Sequence, residues 1–317
     1  MIARQSVWSD KGVQKLLEEF VPCADEVWRL HNLDEPDCVH FRKFCDADGV
    51  LNGGNAGDRT TRQGTYCCTP SGMPLGNINN RDPNRIKQLL KDALKKWKEI
   101  KKKDRLLDYD PADKQKEITR SENQYPEDGL VLKVYSRDLE RKGLNQGDWR
   151  THAWNFDFAW FRKAEVEEML PGRVEKKMEW DFPEHLTRRL YRIYFRDNVR
   201  GQTSPFPEEA IEKATLKCKV TKLRKGIITY SLEGEVKLVD GERGVEGKIF
   251  GEVEYNTRKK AFDKFELVMG GERWGRTQYN AREDDTERAP IGYAMKIAED
   301  KATEKVAPSQ LGAYGWR

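Results

Sequence analysis

The chain has 317 residues, more than one hydrophobic core usually organises, and this predicts two domains. Charged residues make up 35% and hydrophobic residues 37%, and no apolar run approaches the roughly 20 residues of a membrane span, so a soluble protein with no membrane span is expected. The formal net charge of +4 is too small for the whole-molecule field to recruit nucleic acid.

Ser9 can cap a helix in which Val13, Leu16, Leu17 and Phe20 recur at i, i+3, i+4 and i+7. Phe20 to Val27 places β-branched and apolar residues around Pro22 and reads as an edge strand, with an irregular helix start as the alternative. Cys38, Phe41 and Cys45 share one helical stripe, and Gly49 to Asp58 reads as loop. Gly64 to Ile78 reads as a hairpin turned at Pro70-Ser71-Gly72. Asp82 and Pro83 then open a helix with an unbroken apolar stripe of Ile86, Leu89, Leu90, Ala93, Leu94 and Trp97.

The order of these elements is Val7-Trp8-Ser9-Asp10 opening a helix, Phe20-Val21-Pro22, the Thr69-Pro70-Ser71-Gly72 hairpin and an amphipathic closing helix. It resembles the latter part of a divergent thioredoxin-like domain over about residues 6–100. The family places a redox C-x-x-C ahead of the first helix and a cis-proline before the hairpin. No cysteines here are spaced C-x-x-C, and the hairpin is preceded by Gln63-Gly64-Thr65. The resemblance therefore implies an incomplete α/β module that is redox-inactive, since exchange needs a thiolate and usually a resolving partner. It also implies a groove beside the sheet suited to an extended peptide. As written, the start has no secretory signal and a cytoplasmic location is expected. The missing first strand raises the other expectation, an upstream start carrying an export signal and a redox pair.

Residues 101–124 are polar and charge-dense and read as a linker, after a basic helix end that is ordinarily solvated. Leu130 to Ser136 opens the second domain, residues 125–298, as a strand, and Phe156, Phe158 and Trp160 alternate as a half-buried one. Lys163 to Leu170 and Pro183 to Asp197 read as helices, the second with Leu186, Leu190, Ile193 and Tyr194 on one face. Residues 214–281 switch to period two with frequent turn signals, predicting six consecutive strands in an antiparallel meander, strongly curved or a partial barrel, packed on the second helix. The fold class is α+β, and residues 299–317 read as a mobile polar tail.

Two sets of residues invite chemistry. His31, Cys38, His40 and Cys45 supply a zinc complement in residue type, but their spacing fits no standard module and the cysteines suit a buried stripe. Cys23, Cys67 and Cys68 would serve a thiol-dependent oxidoreductase, although no histidine carries a recognisable nucleophile signature. No cofactor is expected, because no phosphate-binding loop or nucleophile elbow occurs.

Arg200 and Gln202, with Arg273, Trp274, Arg276 and Tyr279, gather polar and aromatic groups beside the predicted sheet. Such groups suit a polar ligand or partner, or else cap strand ends and hold layers together. The leading expectation is a non-catalytic protein that binds a protein or peptide and no nucleic acid. The alternatives are the thiol oxidoreductase and a carrier of a small ligand inside the curved sheet.

Overall fold

Asp10, one residue beyond the predicted cap, starts the first helix, because its Oδ1 accepts the Val13 N–H at 2.9 Å. The computed structural model describes residues 7–47, 63–70, 72–105, 120–141 and 153–316, so the predicted loop at 49–58 and most of the predicted linker lie outside the described residues. The chain divides into two compact units, Met1–Thr119 and Arg120–Arg317.

In the first unit, α1 (Lys11–Leu17) is followed by α2 (Val27–Asn32) and α3 (Pro36–Ala47). The strand predicted over 20–27 does not form, and 21–26 has no regular structure. Pro22 lacks a donor for a ladder, while Asp25 accepts from the Glu26 N–H and from Arg29, drawing the segment into α2. A hairpin of β1 (Thr65–Cys68) and β2 (Pro74–Ile78) turns through Gly72, whose φ of 78° a glycine adopts without steric cost. α4 (Pro83–Glu99) is capped by Asp82, which accepts from the Asn84 N–H. Its Ile86, Leu90 and Ala93 are buried with Val7, Val13, Cys67 and Leu75.

The second unit is built on an open eight-stranded antiparallel sheet. Its strands are β3 (Leu130–Asp138), β4 (Trp154–Phe161), β5 (Glu179–Asp181), β6 (Ile211–Arg224), β7 (Ile227–Asp240), β8 (Arg243–Asn256), β9 (Ala261–Trp274) and β10 (Ala289–Ile297). They lie in the order β4-β3-β10-β9-β8-β7-β6-β5. The α+β class stands, but the sheet ends in two edges and does not close into a barrel.

Four long strands replace the predicted six. Ile228 to Leu238 is one strand because Gly234 marks no turn: a Cβ there would lie 2.1 Å from the Thr215 carbonyl oxygen, so glycine serves a close approach. The true turns carry Gly226 and Gly241 at positive φ. Arg273 to Tyr279 is not a separate strand, since the chain leaves the sheet at Gly275, with φ 80°. β10 was not anticipated, although Ile291, Tyr293 and Met295 alternate clearly and are buried; Pro290 masks the pattern.

One face of the sheet is covered by α5 (Lys163–Glu168) and α6 (Glu184–Tyr194), with Leu186, Leu190, Tyr191, Ile193 and Tyr194 buried against residues such as Leu216, Tyr230, Leu267 and Tyr293. The predicted tail also packs into this core. Leu311 and Tyr314 are buried, Trp316 stacks near Trp160 at 6.5 Å, and the Tyr314 hydroxyl accepts the Trp160 N–H. That cover explains why the second half of β4 is not half-buried: Phe158, Ala159, Trp160 and Phe161 are all buried, whereas Phe156 is half-buried as expected.

Candidate functional site

Residues 195–203, which follow α6, and the β9–β10 loop, residues 275–288, meet over a group of buried charges. Arg282 is fully inaccessible. It donates to Asp197 at 2.7 and 2.9 Å, to Asp138 at 2.6 and 2.9 Å, and to Asp285 at 3.0 Å. Arg200 reaches Asp138 at 2.8 Å and Asp285 at 2.9 Å. Arg273 and Arg141 add contacts to Asp285 at 2.5 and 2.6 Å.

Four guanidiniums thus enclose three carboxylates. Burial alone would raise the Asp285 carboxyl, but hydrogen bonds from Arg273 and Arg141 hold it well below the usual carboxylate range. Burial opposes the charge on Arg282 as well, and Asp197 and Asp138 overcome it and push the guanidinium upward. Arg200 shifts downward, through burial and then the repulsion of Arg282.

The network fixes backbone above it. Asn280 is buried, its side chain accepting the Thr277 N–H at 2.9 Å and lying 3.4 Å from Asp197. Gln202 donates its N–H to the Tyr279 carbonyl at 2.7 Å, and Gly275 donates to Thr286 at the same distance. The approach at Gly201 is so close that a Cβ would lie 1.8 Å from the Tyr279 carbonyl oxygen. Ala281 is held at φ 53°, a left-handed conformation that costs on the order of 1–3 kcal/mol without glycine.

The sequence-predicted ligand residues therefore separate into two kinds. Arg200 and Arg273 are buried and bonded to aspartates, Arg273 also to the Asp285 and Glu287 carbonyls with its Nε left without a partner among the described residues, and both anchor the loop from beneath. Trp274 is half-buried beneath Arg288, whose guanidinium lies 4.0 Å from the ring. Gln202, Arg276 and Tyr279 are exposed, Tyr279 by 65%. Asp138, Arg141, Arg282 and Asp285 were missed, because Arg282 and Asp138 meet across 144 positions and no local spacing encodes that. The three carboxylates of the cluster are all held by guanidiniums, and its arginines cannot give up a proton near neutral pH.

The thiols and histidines of the first unit form no comparable site. Cys38 and Cys45 are buried, His40 is exposed, and the four predicted zinc ligands are not drawn together. Among the described residues the side chains that converge as a ligand set are Glu35, Asp37 and Cys38, and both carboxylates already bond Arg29. Burial pushes the Cys67 thiol up to about 11 and raises Cys68, with Cys23 adding to the latter. Both shifts work against a thiolate at neutral pH. Beside β2 lies an open groove of about 440 Å³, lined by Leu75, Gly76 and Asn77 and by Leu89, Asp92 and Lys96 of α4.

No helix among the described residues is long and apolar enough to cross a membrane. A scan against protein-family models and searches of curated proteins and of solved structures find no match to the chain.

Proposed function

We propose that this chain is a non-catalytic binding protein whose second unit engages a protein or peptide partner through Arg276 and Tyr279 of the β9–β10 loop, with Gln202 beside them. The observation that carries this reading is the buried ionic cluster beneath an exposed aromatic. An exposed tyrosine alone means little, but here its backbone is tied to Gln202 and its support is Arg282 between Asp138 and Asp197. A loop ordered during folding loses little further entropy on binding, and tyrosine and arginine are the side chains that most often anchor interfaces. The inner face of the sheet is filled by the protein's own core, which favours a surface contact over carriage of a small ligand.

A random peptide library selected on the whole chain tests this. Enriched peptides are expected to bind the double variant Arg276→Ala, Tyr279→Ala at least about tenfold more weakly, with unchanged thermal unfolding. Peptides that bind both proteins equally would remove the loop from consideration.

A second surface belongs to the thioredoxin-like reading of the first unit. Among the described residues β2 pairs with β1 alone, and the groove lies between β2 and α4. An extended peptide adding a third strand would use the backbone of β2 for affinity and the groove for side-chain selection. Peptides of this class should lose binding on Lys96→Glu, which reverses a charge lining the groove, and should ignore the loop variant.

A further inference from the structure

The outer face of the eight-stranded sheet carries a continuous apolar row across five strands. Phe250 of β8 lies opposite Val268 of β9, Val268 opposite Ala294 of β10, Ala294 opposite Tyr135 of β3, and Tyr135 opposite Phe156 of β4. Phe250 and Val268 are each more than half exposed, and Ala294 is exposed between Val268 and the half-buried Tyr135. With strands about 4.8 Å apart, the row is about 19 Å long.

The flanking rows are not symmetric about it. On one side Gly270 lies opposite Gly292; the space over Gly270 is open, whereas the exposed Leu139 side chain lies over Gly292. On the other side Lys133 and Lys296 occupy β3 and β10, with Lys133 bonded to Glu304 of the C-terminal segment so that Lys296 carries the positive charge of that half, while Glu266 and Glu252 occupy β9 and β8. A single ammonium, Lys264, bridges both Glu252 and Glu266, so the acidic half keeps an excess of negative charge.

We propose that this face packs against the same face of a second copy of the chain, about a two-fold axis parallel to the strands and passing between β9 and β10. Such a rotation lays β10 of each copy over β9 of the other and β3 over β8. Ala294 then meets Val268, Tyr135 meets Phe250, Lys296 meets Glu266, and the Leu139 side chain over Gly292 of each copy faces the open space over Gly270 of the other. Two sheet faces pack about 10 Å apart with interdigitating side chains, which a central row of moderate apolar residues can fill. The pairing is isologous, as a two-fold interface requires.

Sedimentation velocity on the full chain from micromolar to submillimolar concentration tests the assignment, because a dimer is expected to build up with concentration. Val268→Asp and, separately, Lys296→Glu should each raise the dissociation constant by more than about tenfold, since like or unpaired charges would face each other. The double swap Lys296→Glu, Glu266→Lys preserves both the cross-strand pair and the intermolecular one and should restore wild-type association. These positions are exposed, so thermal unfolding should stay near wild type in all three variants. A chain that remains monomeric throughout, a dimer indifferent to both single variants, or a double swap that stays dissociated would each overturn the proposal.

Discussion

Arg282 is the residue on which the upper end of the second unit depends, because it contacts Asp138, Asp197 and Asp285 with no access to water. Removing one member of a buried ionic group leaves the others uncompensated, at a cost of about 3–5 kcal/mol. Arg282→Met should lower the unfolding free energy of the second unit by that amount, read from urea denaturation. The same cluster sets a direction with pH. Asp285 titrates well below its unfolded value of about 3.9, so its contribution is complete above that pH and is lost as the pH falls towards the folded-state value. The wild-type urea midpoint should fall on acidification from about pH 5 to pH 2. Asp285→Asn, less stable at neutral pH, should show a flatter acid limb. An equally steep limb in that variant would mean that other carboxylates govern acid unfolding.

Elements whose boundaries carry local chemistry were legible in the sequence. Asp82 and Pro83 announce α4, and the Pro70–Gly72 turn announces the first hairpin, because capping and turn geometry depend on residues only a few positions apart. Elements defined by distant neighbours were not. Nothing near Gly234 tells a turn glycine from one that makes room for the Thr215 carbonyl oxygen, and nothing in 299–317 shows that Tyr314 will meet Trp160, 154 positions away. The candidate site divides in the same way. Tyr279 and Arg276 stood out by residue type, whereas the burial of Arg200 and Arg273 needed the fold. The C-terminal segment has a definite role in that fold: Tyr314 occupies the outward N–H of Trp160, and Asp157 accepts from the neighbouring Phe158 N–H and from Ser309. Edge strands left open invite pairing with other chains, and here the edge is blocked by side chains. Tyr314→Phe should cost about 1–3 kcal/mol through the buried donor it leaves unmet. Hydrogen exchange at the Trp160 amide should speed up, and unchanged exchange would show that the clamp lies elsewhere.

At the scale of the whole molecule the two units have cores of different extent. That of the first rests on a few side chains around α4, while that of the second runs beneath the eight strands and includes the C-terminal segment. Burial of apolar area is the main favourable term in folding, and it grows with the size of the core. Calorimetry of the full chain should therefore resolve two transitions, the first unit unfolding at the lower temperature. Leu90→Ala removes a buried side chain from the smaller core and should cost that unit about 2–5 kcal/mol, lowering the first transition and leaving the second in place. Arg282→Met should do the reverse. A single transition displaced by both variants would mean that the units unfold as one cooperative body, and a partner contact at the β9–β10 loop would then stabilise the first unit as well as the second. Two independent transitions would confine that stabilisation to the unit that holds the loop.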